Sequence, residues 1–247
     1  MRELIFIGII LFSMVSCTKP DNRRCFKSAG DETEKVIELE GFDKLYLREK
    51  IRYVLVQDTI EKIVLKGGEN LLNFIEYSIV DGKLEISNEN TCAFLRSFKK
   101  VVTAEIHFKE LINIHFEGTE PLTNEGTLQF NWLTFLIRDG AGSVDLKMNA
   151  EAIHATISHG WGDFTFSGQV SFASFNINSN GFCNTYGLQV LDSITVISKT
   201  QGTVKVNAAN AQFKAEINGD GDIWYIGNPN GAPIFNRYGN GELIKKD

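Results

Sequence analysis

The sequence predicts an all-β fold, built as a parallel solenoid, from three observations. First, isoleucine recurs every twenty residues, at Ile137, Ile157, Ile177, Ile197 and Ile217. Second, each of these isoleucines ends an alternating segment, and a glycine-containing turn follows it. Third, a period near twenty is too short for helical-hairpin repeats and fits one coil of a parallel β-solenoid. Stacked coils can form a continuous core from inward faces that no single coil could bury.

The overall composition fits a folded protein and argues against a nucleic-acid partner. The chain has 247 residues, of which 43% are hydrophobic and 23% are charged, and these values are ordinary for a globular protein. The formal net charge is −6, whereas a nucleic-acid-binding surface needs a basic face.

Residues 1–16 are predicted to be a cleaved export signal. The apolar run at residues 4–11 is too short to cross a bilayer as a stable helix. The run Met-Val-Ser before Cys17 resembles the lipobox of bacterial lipoproteins, which implies that Cys17 becomes a lipidated N-terminus. Thr18, and not an aspartate, follows this cysteine, so the outer membrane is the predicted location. The alternative is an ordinary signal peptide in which the cysteine has no role.

The three other cysteines are expected to meet an oxidising compartment after export, where pairing is favoured. Cys183 replaces a glycine of a repeat turn and so has its own structural setting. Cys25 and Cys92 are therefore predicted to form a disulfide, which would stabilise the protein by roughly 4 kcal/mol in the chain-entropy model. Zinc is the alternative, although no Cys-x-x-Cys or Cys/His spacing supports it.

Residues 17–34 are predicted to be the lipidated N-terminus and a polar linker, and residues 35–247 one β-helix domain. Within this domain, residues 35–111 form irregular coils of short strands. The segment 71–79 fits either a helical turn or a strand. The other predicted strands of this part are Val36–Leu39, Leu45–Leu47, Ile51–Val56, Ile63–Leu65, Leu84–Ile86 and Ala104–Phe108.

Residues 112–243 are predicted to form regular coils of about twenty residues, lying about 4.8 Å apart. Before each turn, alternation places the odd-numbered positions inside, as in the pairs Phe135/Ile137, Ala155/Ile157 and Phe175/Ile177. After each turn, the inward pairs are Val144/Leu146, Phe164/Phe166, Tyr186/Leu188, Val204/Val206 and Ile223/Tyr225. Further apolar residues complete the inward face at Ile153, Phe172, Leu191 and Phe213.

The closing run Gly219–Pro229, with the sequence GDGDIWYIGNP, resembles the signature of the putative auto-transporter adhesin head GIN domain family. The motif Cys25-Phe-Lys-Ser and the basic segment after Cys92 carry the same resemblance. It covers residues 25–243 and implies a right-handed parallel β-helix in an envelope lipoprotein or secreted protein. The turns that hold Trp161 and Phe182 are not part of this signature, so the resemblance assigns them no ligand.

No catalytic site or cofactor is predicted. The chain lacks Gly-x-Ser-x-Gly, His-Glu-x-x-His and phosphate-loop motifs. His107 and His115 should face solvent, and His154 and His159 are too far apart on a strand to share a metal. Acidic residues at the turns resemble turn caps more than calcium ligands, since the Gly-Gly-x-Gly-x-Asp repeat is absent.

An envelope polysaccharide lyase or glycosidase is the alternative function. Such enzymes need carboxylates grouped on one face. Outward positions of the second strand are instead expected to be mixed: Asp145, Lys147, Thr165, Thr185, Lys205 and Trp224.

Trp161 and Phe182 are expected to occupy equivalent turn positions in adjacent coils and to stack there. Exposed aromatic rings can bind sugars or protein partners, and the alternative is that the rings cover a corner of the core. The predicted function is a non-enzymatic, lipid-anchored envelope protein that binds a glycan or protein partner, or acts as a spacer.

Overall fold

The computed structural model describes residues 28–48, 50–90 and 101–247, which form a parallel β-solenoid of about seven turns. The predicted signal peptide and the residues Cys17, Cys25 and Cys92 lie outside the described residues. Within the described ranges, no helix is long and apolar enough to cross a membrane. The predicted all-β parallel solenoid is confirmed.

The N-terminal part mixes parallel and antiparallel pairing. Strands β2 and β3 pair in parallel with later coils, whereas β1–β4, β4–β7 and β5–β6 are antiparallel. The ambiguous segment 71–79 divides between the end of the short helix α1 and most of β5. The elements are β1 Glu32–Glu38, β2 Lys44–Leu47, β3 Ile51–Gln57, β4 Lys62–Gly68, α1 Glu69–Leu72, β5 Ile75–Val80, β6 Lys83–Asn88 and β7 Val102–Phe108.

The first strand begins at Glu32, inside the segment that the sequence assigns to the linker. Asp81 and Gly82 form the two-residue turn between β5 and β6, and both have positive φ angles, of 51° and 72°. An Asp-Gly pair suits such a hairpin turn because its twist matches that of the flanking strands.

The regular coils follow without antiparallel pairing. Each strand lies parallel to its equivalent in the next coil, as β10 does beside β11 and β11 beside β12. The strands are β8 Asn113–Phe116, β9 Leu122–Asn124, β10 Leu128–Ile137, β11 Ser143–Ile157, β12 Asp163–Ser179, β13 Phe182–Thr185, β14 Leu188–Thr200, β15 Val204–Asn207, β16 Gln212–Ile217, β17 Ile223–Ile226, β18 Ile234–Arg237 and β19 Leu243–Lys245.

The core of the middle coils is a cluster of phenylalanines. The rings of Phe164 and Phe166 stack with their centroids 4.3 Å apart, and Phe135 meets Phe166 edge-on at 5.5 Å. These geometries are favourable for aromatic pairs. The predicted inward pairs before the turns are confirmed, since all six residues are buried: Phe135, Ile137, Ala155, Ile157, Phe175 and Ile177.

The predicted isoleucine column is wrong in its fourth layer. Ile177 pairs with Ser198 and not with Ile197, and Ser198 in turn pairs with Ile217. Ser198 is fully buried, and its Oγ has no hydrogen-bond partner among the described residues. Ile197 faces outward beside Asn176 and is only partly buried.

A register shift in β14 causes this exchange. Val170 pairs with Val190, but Phe172 pairs with Ser193, so β14 carries one extra residue at this corner. One extra residue turns every later side chain to the opposite face. The following coil is one residue shorter than twenty, which restores the column at Ile217.

The predicted inward pair Tyr186/Leu188 is also wrong in part. Phe164 pairs with Cys183, so that Cys183 and Thr185 face the core and are buried, while Tyr186 is only partly buried. Asp163 follows Ile157 by six positions, whereas its partner Phe182 follows Ile177, the partner of Ile157, by only five. This turn is therefore one residue shorter in register, which advances the alternation. Leu188 is buried as predicted. After the other turns, the inward pairs hold, except that Tyr225 is only partly buried against the core.

Candidate binding surfaces

Trp161 and Phe182 lie along the turn edge of the solenoid, and both are exposed. Trp161 is 70% exposed and Phe182 is 46% exposed. They are not equivalent positions, because Phe182 pairs with Asp163, which comes two residues after Trp161. The predicted stacking is therefore wrong. Within the described residues, neither ring stacks on another aromatic ring.

Asp163 lies beside Phe182 on this edge. It is two residues after Trp161, and its strand neighbours are Phe182 on one side and Ser143 on the other. Burial raises the pKa of the Asp163 carboxyl. We call these three residues, Trp161, Asp163 and Phe182, the turn site. Its two rings can cover an apolar face, and its carboxyl oxygens can accept a hydrogen bond.

The backbone of the turn is held independently of the Trp161 ring. The Trp161 amide donates to the carbonyl of Gly140 at 3.3 Å, a contact that any residue at this position can make. Beside Phe182, Cys183 points into the core and forms no disulfide. Burial raises the pKa of its thiol to about 12, so this cysteine is not a reactive nucleophile.

A second exposed apolar row, which the sequence analysis missed, runs along another corner of the solenoid. Trp132 pairs with Ala152, and Ala152 pairs with Phe172. Trp132 is 58% and Phe172 44% exposed, which corrects the expectation that Phe172 and Leu191 face the core; Leu191 is also exposed. The available signal is a pair of adjacent apolar residues in each coil, because at a corner one faces inward and the next outward.

A ladder of side-chain amides lies beside this row. Gln129, Asn149, Gln169 and Gln189 occupy one outward column in successive coils. The Gln169 backbone amide donates to Asn149 Oδ1 at 3.1 Å, and Gln169 Nε2 donates to Gln189 Oε1 at 3.2 Å. We call these four residues the amide ladder.

The histidines of the N-terminal part are engaged by neighbours. His107 Nδ1 lies 3.0 Å from Asp58 Oδ2. His115 stacks on Tyr46 with ring centroids 4.6 Å apart, and burial lowers the pKa of this imidazole. The expectation that both rings face solvent is corrected, since neighbouring side chains cover them. Among the described residues, no group of three or more His, Cys, Asp or Glu side chains could hold a metal ion.

The outward column of the second strand differs from the prediction at one residue, because Thr185 faces inward and Asn184 takes its place. The aligned residues are Asp145, Thr165, Asn184, Lys205 and Trp224. A single carboxylate in this column is not the pair of acidic groups that glycoside hydrolysis usually requires. The Trp224 ring already makes cation–π contacts, since the amino groups of Lys205 and Lys246 lie 5.6 and 4.0 Å from its ring centre.

Comparisons with known proteins give one family, through a family model, and one fold, through solved structures. Residues 41–229 match the model of a family described as "Putative auto-transporter adhesin, head GIN domain". No curated protein matches the chain.

Solved structures from Bacteroides and Parabacteroides species share the solenoid. A putative adhesin from Bacteroides fragilis has a TM-score of 0.77 at 21% identity, covering 87% of this chain and 97% of its own. A putative adhesin from Parabacteroides distasonis has a TM-score of 0.65 at 19% identity, with coverages of 90% and 99%. A putative lipid binding protein from the same species has a TM-score of 0.61 at 16% identity, with coverages of 88% and 98%. At these identities the likeness concerns the fold.

Proposed function

Because the chain belongs to the putative auto-transporter adhesin head GIN domain family, we propose that it is a lipid-anchored, non-enzymatic binding protein of the cell envelope. The family description and the similar structures named as adhesins support an adhesive role over a catalytic one. The lipobox-like residues before Cys17 support anchoring in the outer membrane. A disulfide between Cys25 and Cys92 would tie the segment near the anchor to the folded body.

The exposure of the turn site is the observation that carries the binding proposal. Trp161, two residues before Asp163, and Phe182, paired with Asp163 in the next coil, both present apolar rings to water. Most turns of this solenoid have no aromatic side chain. Exposed aromatic residues are the usual anchors of binding surfaces. A partner that stacks on the rings and hydrogen-bonds to Asp163 would remove this apolar surface from water.

Removing both rings is expected to abolish binding of the partner that stacks on them at the turn site while leaving the fold intact. In the Trp161→Ala/Phe182→Ala double variant, the free energy of unfolding should change by less than about 1 kcal/mol, because the rings are exposed and burying a full aromatic side chain is worth about 2 kcal/mol. Full-length protein on a glycan array and in binding assays with envelope proteins gives the binding readout, and chemical denaturation gives the stability.

Tyr238→Ala is the matched control, since Tyr238 is 72% exposed and lies outside the turn site. It should keep every ligand of the wild type. A double variant that retains all wild-type ligands while losing about 2 kcal/mol or more of stability would mean that the rings only cover the core.

Replacing Cys17 by serine is expected to release the protein from membranes or leave it as unprocessed precursor. Lipid chains provide stable anchoring when two or more are attached, and serine offers no thiol for lipidation. Membrane fractionation of expressing cells measures the effect. Cys25→Ser is the control and should fractionate with the membrane as the wild type does. Unchanged processing and fractionation of Cys17→Ser would contradict the anchor.

A further inference from the structure

The corner that carries Trp132 and Phe172 forms a notch between two rings. Ala152 lies between them in the intervening coil and is 5% exposed, whereas the two aromatic side chains are about half exposed. Two strand spacings separate the rings, a distance of about 10 Å along the solenoid axis. We call Trp132, Ala152 and Phe172 the aromatic notch.

The amide ladder supplies hydrogen-bonding groups beside the notch. The ladder follows the same axis, because its members pair coil by coil in the same registers as the notch residues. Asn149 Nδ2 and Gln189 Nε2 have no hydrogen-bond acceptor within the described parts of the chain. Side-chain amides combine a donor and an acceptor, so they can meet hydroxyl groups that both donate and accept.

A pocket extends the notch at its Trp132 end. It has a volume of about 370 Å³ and is lined by Trp132, Ile112, Gln129 and Gln57, among other residues. Gln57 is fixed there, since its Nε2 donates to the carbonyl of Gln129 at 3.0 Å and its Oε1 accepts from the Gln129 amide at 2.8 Å. The pocket is large enough for a small ring.

The charges near the aromatic notch and the amide ladder determine which ligands can bind there. We call the segments that carry these two groups the strip. Residues 129–132, 149–152, 169–172 and 189–192 include no lysine or arginine, and their charged members are Glu151 and Asp192. Glu151 accepts a hydrogen bond from Ser171 Oγ at 3.2 Å. Lys109 and Glu110, which line the pocket at the Trp132 end, carry opposite charges. Along the rest of the strip an acidic polysaccharide would meet only like charges, whereas a neutral ligand meets no such repulsion.

We propose that the aromatic notch and the amide ladder bind an extended, neutral, β-1,4-linked oligosaccharide that runs along the solenoid axis. A β-1,4-linked pyranose chain in its extended form advances by nearly one strand spacing per sugar, so that each sugar meets one coil. Two sugars separated by one residue stack on Trp132 and Phe172, and the sugar between them lies over Ala152. The amides bind the hydroxyl groups along one edge of the chain. This surface is separate from the turn site, so the inference goes beyond the proposed function.

Titration of the detergent-solubilised full-length protein with cellohexaose, chitohexaose and β-1,4-mannohexaose tests the proposal. At least one of these neutral probes should bind, with a change in tryptophan fluorescence and a measurable heat. Trp132→Ala and Phe172→Ala should each weaken that binding at least tenfold while leaving the melting temperature within a few degrees of the wild type. If one variant fails to fold, the other carries the test.

The turn-site double variant, Trp161→Ala/Phe182→Ala, is the control and should bind the same probe as tightly as the wild type. The control distinguishes the two surfaces, because the turn site and the aromatic notch can each lose ligand binding while the other keeps it. Absence of binding by all three neutral probes, binding unchanged in both notch variants, or equal binding of an acidic oligogalacturonate would each overturn the proposal.

Discussion

Replacing Ile177 with aspartate is expected to cost on the order of 3–5 kcal/mol of unfolding free energy, because it buries a carboxylate without a partner. Ile177 is fully buried and lies between Ile157 and Ser198 in the stacked column. Neither neighbour offers a cation, and the Ser198 hydroxyl can supply one hydrogen bond at most. Denaturant unfolding followed by circular dichroism measures the loss.

Ser174→Asp provides the control on the same strand. Ser174 is partly exposed and lies between His154 and Thr195 on the outward face, so a carboxylate there stays in water. Its cost should stay within about 0.5 kcal/mol, as for most surface substitutions. The neighbouring Asn178 would be a poorer control, because its Nδ2 donates to the Ile157 carbonyl at 2.9 Å. Equal stability of the two aspartate variants would contradict the assigned register.

Gly168→Ala is expected to destabilise the protein by about 3 kcal/mol or more, through backbone strain and a steric clash together. Gly168 has a φ of +112°, and a Cβ atom at this position would lie 2.0 Å from the carbonyl oxygen of Met148 in the preceding coil. That oxygen belongs to the backbone of a paired strand, so it cannot move aside alone. The coils would have to separate locally.

Gly126→Ala isolates the backbone contribution from the clash. Gly126 also has a positive φ, of +66°, but an added Cβ would meet no atom within 4 Å. Its loss should be about 1 kcal/mol, the usual cost of a left-handed conformation for a non-glycine residue. If both variants lose the same free energy of unfolding in urea, close packing of the coils at Gly168 does not add to the cost of the Gly168→Ala substitution.

Most of the fold could be predicted because the repeat itself encodes it. A twenty-residue period sets which residues become neighbours, and alternation within each strand sets which side is buried. Phe135/Ile137 and Ala155/Ile157 follow from these two rules alone. The antiparallel strands of the N-terminal part have no such period, so their partners could not be assigned from the sequence.

The errors arise where a coil departs from twenty residues. The extra residue in β14 moves Ile197 outward and Ser198 inward, and the short turn before β13 does the same for Tyr186 and Thr185. A buried serine or threonine in a column of apolar side chains is not favoured by hydrophobicity. Its position depends on local geometry that the spacing of apolar residues does not record.

The candidate site could be predicted only in part for the same reason. Trp161 and Phe182 stand out because aromatic residues are unusual in these turns, and both are exposed. Their relation to each other and to Asp163 depends on the one-residue shortening of the turn. The sequence predicts Phe172 in the core and assigns Trp132 no role, since alternation breaks down at a corner and two successive residues there can face opposite ways.

The pairing distances along the chain also bear on how the protein folds. In the regular coils each strand pairs with one about twenty residues away, so the entropy lost in closing each new loop is small and similar from coil to coil. β2 is different, because Tyr46 pairs with His115, which is 69 residues later. Folding rates fall as the separation of contacting residues grows. We therefore expect order to nucleate among the phenylalanine-rich middle coils and to spread outward by templating, with the N-terminal strands docking last onto a preformed end.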